Sequence, residues 1–393
     1  MRLTGEVYAE MDDLLHRVDA EFRAAGPPRV GARQPVHTVY VPADRVTTRL
    51  VPDWGDAALA AMRAVPPPFA ADLREAVTAK LVREPIEDLR VDLEDGFVCH
   101  DEEEEERAVR LAARALAEAR EAGIGSPFVG IRIKSLERAT RRRAARSLDL
   151  FLDRYGGLPP NFVVTLPKVS VPAQVETMAV LCARLETAYG LPDGTLRFEI
   201  QVETPRAVLG PDGAATVPRL VAAAAGRCAG LHFGTYDYTA ACGVAGPYQS
   251  LEHPAADHAK AVMQVAGAVL GVPVCDGSTN VLPVGEDATV RDAWALHARL
   301  VRRGLERGFY QGWDLHPAQL PTRFASTYAF FRDGAPAAAG RLRAYLHGRT
   351  RGVLDEPATR RALAGFLLRG LDCGALRGHE TGFEAAELRR LAW

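Results

Sequence analysis

Lysine is scarce in this 393-residue chain. Only Lys80, Lys134, Lys168 and Lys260 stand among 48 basic residues, so arginine carries nearly all of the positive charge. Positive charge is not in excess either. The formal net charge is −2, which argues against a dedicated nucleic-acid binder, because phosphate binding needs a clustered positive surplus. The six cysteines are scattered at 99, 182, 228, 242, 275 and 373 with no CxxC pair, so a zinc ribbon or a redox pair is not expected and reduced thiols are. No apolar run approaches the roughly 20 residues that cross a bilayer. Residues 1–17 mix acids with apolar residues instead of placing a basic stretch before an apolar one. The expectation is therefore a cytoplasmic protein without a signal peptide.

What is present is a repeated alternation. Short apolar, β-branched runs occur at 36–41, 89–93, 128–133, 162–166, 198–202, 231–233, 272–275 and 312–315. Most are closer to continuously apolar than to strict alternation, as for parallel strands covered on both faces. Between them, 101–122, 173–189, 215–225, 254–270 and 287–307 are long enough for crossover helices. Eight strands alternating with helices predict a (β/α)8 (TIM) barrel. An open doubly wound sheet is the alternative, but no GxGxxG turn follows the first run. Residues 1–34 read as a leading helix. The stretch 43–90, with Pro66-Pro67-Pro68, is long for one crossover and predicts an extra helix or lid. Past His316, 323–332, 337–347 and 358–371 read as helices, so the barrel is expected over 1–334 and a helical appendage over 335–393.

The ends of the runs carry the chemistry: Pro42, then Glu94 and Asp95, Arg132, Lys168, Glu203, Asp237, Asp276 and His316. In a barrel these positions converge on one mouth, where active sites lie. Glu203 and Asp237, on adjacent strand ends, could share one hard cation such as Mg²⁺, which takes one or two carboxylates and keeps other positions for water and substrate. A helix cap or an ion pair would use the same residues. Arg132 ends an apolar strand, so its charge must be paired or face a cavity. Its planar guanidinium suits a substrate carboxylate, and a salt bridge to Asp92, Glu94 or Asp95 is compatible with that. The acidic run 101–106 reads as the first turn of a helix, where negative charge meets the helix dipole. The arginine-rich stretch 138–146 could bind ligand phosphates by charge, but reads first as a solvated helix face.

Taken in order, Asp92-Leu93-Glu94-Asp95-Gly96, Gly130-Ile131-Arg132-Ile133, Leu166-Pro167-Lys168-Val169, Val202-Glu203-Thr204-Pro205 and Phe233-Gly234-Thr235-Tyr236-Asp237 form a series, followed by Gly308-Phe309 and Leu315-His316-Pro317-Ala318-Gln319. The series, with Tyr40-Val41-Pro42-Ala43-Asp44-Arg45 at its head, resembles the HpcH/HpaI aldolase and citrate lyase beta-subunit family, which includes malyl-CoA lyases. The resemblance spans roughly 36–320, with a fragment near 352–362; this chain is longer than a compact citrate lyase subunit.

That resemblance implies a TIM barrel, usually oligomeric, with Mg²⁺ at the strand ends. By position, Glu203 and Asp237 match the metal ligands and Arg132 the arginine that binds the substrate carboxylate. Glu94 and Asp95 match the supporting acidic pair, and Pro42 lies where acyl-CoA members contact coenzyme A. The implied activity is a carbon–carbon lyase or aldolase acting through an enolate on a 2-oxo acid or a hydroxyacyl(-CoA) substrate. A malate synthase-like or malyl-CoA thioesterase-like enzyme is the alternative. It turns on Asp355, in Leu354-Asp355-Glu356-Pro357, which resembles an acid/base segment of those enzymes and equally suits a helix N-cap. A non-catalytic binding protein on the same fold is the third reading.

Overall fold

The computed structural model describes residues 4–25, 33–98, 101–348 and 356–392. Eight parallel strands run β1 His37–Pro42, β2 Asp88–Asp92, β3 Phe128–Arg132, β4 Phe162–Leu166, β5 Arg197–Val202, β6 Cys228–Phe233, β7 Val274–Cys275 and β8 Gly312–Asp314. They pair in the order β7-β6-β5-β4-β3-β2-β1-β8. The last seam is closed by single bonds: Asp276 N–H donates to the Gln311 carbonyl (2.8 Å) and Trp313 N–H to the Gly277 carbonyl (3.3 Å). The architecture is the TIM barrel that the alternating runs predict, and each expected run holds one strand. No helix among the described residues is long and apolar enough to cross a membrane.

The period of two explains how the barrel positions charge. In β2, Leu89 and Val91 face outward into the apolar layer under the helices, while Asp88, Arg90 and Asp92 take the alternate positions. In β5, Phe198, Ile200 and Val202 face outward, and Glu199 and Gln201 alternate with them. Both faces are buried, as expected, yet the interior face is polar. Arg90 joins Asp88 and Glu199 (Nη2–Oε2 3.0 Å), His232 Nε2 lies 3.0 Å from Glu199 Oε2, and Tyr40 Oη donates to Glu199 Oε1 at 3.1 Å. Burial opposes ionisation of Glu199, but Arg90 and His232 outweigh it and hold the carboxyl well below its ordinary range. Such a network is tolerated because each charge has a partner.

Outside the barrel, 43–90 supplies two helices, Leu50–Ala64 and Ala71–Arg83, rather than one. They share an apolar cluster with the C-terminal helices: Ala58, Met62, Val77 and Leu81 meet Phe324, Tyr328, Phe331 and Leu367. The two helices expected at 323–332 and 337–347 are one, Leu320–Leu346, with Pro336 inside it. The reason is packing. Phe324, Tyr328, Phe331, Ala335, Ala338 and Leu342 make one buried stripe at helical spacing straight across the proline, and burial of that stripe outweighs the lost backbone bond. The division expected at 334/335 falls within this helix. The acidic and basic runs meet each other: Asp101 caps Glu102–Glu121 by accepting from Glu104 N–H (2.7 Å), and Arg143 and Arg146 of Arg141–Tyr155 pair with Glu105 and Glu106.

Candidate active site

Seven of the nine expected strand-end residues, Pro42, Glu94, Asp95, Arg132, Lys168, Glu203 and Asp237, meet at the C-terminal mouth. Arg132, at the end of β3, lies beside Asp92 at the end of β2, because these positions are directly opposite in the parallel register. Its Nε donates to Asp92 Oδ1 and its Nη2 to Asp92 Oδ2, both at 2.6 Å. Nη1 is 3.9 Å from Glu94 Oε2 and 4.0 Å from Asp95 Oδ2. The Tyr40 ring backs the guanidinium at 4.8 Å. Arg132 is therefore fixed on one edge and one face. Pro42 is opposite Asp92 across β1 and β2, half-buried at the same rim.

Glu203 follows β5 and is fully buried; Asp237, in the first turn of Thr235–Ala241 after β6, is about half exposed. Gly234 makes this approach possible: a Cβ there would lie 2.5 Å from Glu203 Cβ and 2.7 Å from its Oε2. Gly96 plays the same part on the other side, where a Cβ would meet Asp92 Oδ2 at 2.5 Å. Asp95, Glu203 and Asp237 each offer a carboxylate oxygen, and these atoms lie within 4.8 Å of one another. Three carboxylates so close cannot all stay ionised without a cation, and hard oxygen donors in an open mouth fit Mg²⁺. The acids show the crowding. Burial pushes Glu203 up to about 7 against the opposing pull of Lys168. Burial and the neighbouring Asp95 push Glu94 up to about 8. Asp95 is lowered, its own burial outweighed by its bond to Glu94 and the charge of Lys168.

Lys168 was legible as a strand end but not as a member of the acid cluster. Its Nζ is 2.8 Å from Asp237 Oδ1, 3.1 Å from Asp95 Oδ2 and 3.8 Å from Glu203 Oε2. Its backbone N–H donates to Glu203 Oε1 at 2.7 Å, from a left-handed φ of +53°. A non-glycine residue in that region is uncommon and tends to mark functional positions. The scarcity of lysine was the available signal. Two other expected strand ends are engaged elsewhere. Asp276 pairs with Lys260 (3.1 Å), and His316 accepts from Ala318 N–H (3.2 Å), capping the turn at Pro317–Gln319. Asp355 lies outside the described residues. The N-cap of the helix Pro357–Asp372 is Glu356. A cavity of about 850 Å³ lies at the opposite end of the barrel, floored by Asp88, Arg90, Glu199 and His232, and none of the mouth acids lines it.

Comparison with known proteins gives the fold a context. The model of a family described as "Domain of unknown function (DUF6986)" matches residues 15–393. No curated protein sequence matches the chain. Among solved structures, the protein CitE of Mycobacterium tuberculosis, in complex with magnesium, acetoacetate and coenzyme A, is 18% identical with a TM-score of 0.51 over 87% of this chain and 99% of that one. The Haloferax volcanii malate synthase lead(II) complex is 15% identical with a TM-score of 0.51 over 92% of this chain and 90% of that one. At these identities the likeness shows a shared fold.

Proposed function

The chain belongs to the DUF6986 family, and from the chemistry of its barrel mouth we propose that it is a Mg²⁺-dependent carbon–carbon lyase or aldolase of the citrate lyase beta type, acting on a 2-oxo acid or a hydroxyacyl(-CoA) substrate through an enolate. The observation that carries the reading is the set of three carboxylates, Asp95, Glu203 and Asp237, gathered within 4.8 Å beside a buried arginine. These acids would hold the ion. When bound, it supplies Lewis-acid polarisation of a carbonyl oxygen. The magnesium and acetoacetate of the structurally similar CitE support the assignment.

The remaining steps belong to side chains. Arg132 presents Nη1 toward the mouth while Asp92 holds its other edge, which suits a substrate carboxylate. A guanidinium already oriented by Asp92 and Tyr40 does not have to reorganise as charge develops on the substrate. Glu94, pushed up to about 8 by burial and Asp95, is poised near neutrality to give or take a proton. Pro42 shapes the rim where an acyl chain or coenzyme A would enter. A Schiff-base mechanism through Lys168 is disfavoured. The surrounding acids outweigh its burial and raise its proton affinity, whereas an amine nucleophile needs a lowered one. Homo-oligomerisation and use of a CoA thioester belong to the same proposal.

The test combines two measurements. Mg²⁺ is titrated into the wild type, Glu203→Gln and Asp237→Asn; binding by the wild type alone is expected. A screen of 2-oxo acids with acetyl-CoA, propionyl-CoA and free aldehydes, with and without Mg²⁺, then looks for Mg²⁺-dependent bond formation or cleavage. Turnover that survives excess EDTA in either variant overturns the metal assignment.

A further inference from the structure

We propose that Lys168 is a built-in counter-ion that occupies the cation position among Asp95, Glu203 and Asp237 until a divalent ion displaces it, so that metal affinity is set partly by the cost of moving this one side chain. The inference rests on the reading of these carboxylates as the Mg²⁺ site, and it adds a resident competitor to that site.

The geometry is that of a cation among its ligands. The ammonium reaches Asp237 at 2.8 Å and Asp95 at 3.1 Å, acids brought from the ends of β6 and β2, with Glu203 of β5 at 3.8 Å. These are the three residues whose oxygens cluster. Mg²⁺ requires its oxygens at about 2.0–2.1 Å, much closer than an ammonium allows. The two cations therefore cannot occupy this space together. One must leave for the other to bind.

The backbone explains why the side chain is there. At φ +53°, Lys168 takes a conformation that glycine would adopt more cheaply. Its N–H is tied to Glu203 Oε1 at 2.7 Å, and Gln174 Nε2 donates to its carbonyl at 3.3 Å. The main chain is thus anchored to one ligand while Nζ bridges the other two. Lysine also suits a displaceable role better than arginine. It is a point charge with rotatable donors on a flexible stem, so it can leave without breaking a planar two-pronged contact.

A counter-ion of this kind makes two linked predictions. Removing it leaves the empty triad uncompensated, and it removes the competitor that Mg²⁺ must expel. Lys168→Met should bind Mg²⁺ more tightly than the wild type by about tenfold or more in calorimetric titration, the scale of one hydrogen bond to a charged group. In EDTA the same variant should melt below the wild type, and with saturating Mg²⁺ the two melting temperatures should converge. Lys168→Gln, which keeps a donor without the charge, should shift in the same direction and guards against a folding defect peculiar to Met. Equal or weaker Mg²⁺ affinity in both variants, with wild-type circular dichroism, overturns the counter-ion role while leaving the metal site standing. Absence of Mg²⁺ binding to wild type and variants alike overturns the metal site and this inference with it.

Discussion

Arg132 and Asp92 meet edge to edge, Nε on Oδ1 and Nη2 on Oδ2, each at 2.6 Å, at adjacent positions of β3 and β2. The pair is buried, so its value lies in orientation more than in net stability. It leaves one nitrogen of the guanidinium directed toward Glu94 and Asp95. Arg132→Lys keeps the charge but can satisfy only one prong of Asp92 and cannot also offer a planar edge to a substrate carboxylate. The expected loss in kcat/KM is on the order of 2–4 kcal/mol, the range for truncating a buried charged pair. Near-normal kinetics in a well-folded Arg132→Lys would reduce the residue to a structural role.

The acid cluster makes a signed prediction about pH. Burial raises Glu203 to about 7 and, with Asp95 beside it, Glu94 to about 8, from an ordinary value of 4.5. Both carboxyls hold their protons more tightly in the folded chain than in the unfolded one. Their contribution to stability is full below pH 4.5 and is lost as pH rises through 7 and then 8. In EDTA the melting temperature should therefore fall across this window. Glu94→Gln/Glu203→Gln should flatten the fall. Added Mg²⁺, which favours ionised carboxylates, should reduce it in the wild type. An unchanged slope in the double variant would place the titration elsewhere.

The barrel was legible because its outward-facing residues are apolar. Leu89 and Val91, or Phe198, Ile200 and Val202, mark strands whatever lies between them. The residues between were the part misjudged. Arg90 and Glu199 sit inside two such runs, and an apolar run read as buried on both faces gave no reason to expect a charged lumen. The alternation Asp88-Leu89-Arg90-Val91-Asp92 was the signal. Glu94, Asp95, Arg132, Glu203 and Asp237 were legible from their place at strand ends. Lys168 needed three dimensions, since its role depends on carboxylates 73 and 69 residues away in sequence at Asp95 and Asp237. Asp276 and His316 shared the strand-end signal, but Lys260 and a local turn claim them.

Asp355 separates the lyase reading from the synthase or thioesterase reading. In sequence it suits two roles, a helix cap and a catalytic acid/base. Glu356 stands at the N-cap position of Pro357–Asp372 without a side-chain cap bond, with Pro357 opening the helix, and Asp355 lies outside the described residues, so substitution has to separate the two roles. If Asp355 moves protons over the mouth, Asp355→Asn should fold and bind Mg²⁺ as the wild type does and lose roughly 10²–10⁴-fold in the proton-transfer step. Exchange of the substrate's α-proton with deuterated solvent reads that step directly. Unchanged exchange and unchanged thioester hydrolysis would remove the support for the second reading.

Gly234 gives a structural test of the mouth that replaces no charged residue. It follows β6, and its missing Cβ leaves the space into which Glu203 extends. In Gly234→Ala the new carbon would start 2.5 Å from Glu203 Cβ and 2.7 Å from Oε2. The first contact is near the root of the side chain, so a simple swing of the carboxylate cannot relieve it. Overpacking of this kind costs about 1–3 kcal/mol, and the shift falls on the carboxylate that anchors both Lys168 and the proposed ion. Gly230 is the control. It lies on β6 itself, and there a Cβ would meet nothing closer than 3.6 Å. Gly230→Ala should keep wild-type melting and Mg²⁺ affinity. Gly234→Ala should melt lower, and by calorimetry should lose Mg²⁺ affinity by more than its lower stability explains at temperatures where it is fully folded. Equal Mg²⁺ affinity in the two folded variants would mean that Glu203 is not a ligand, whatever its distance from Asp95 and Asp237.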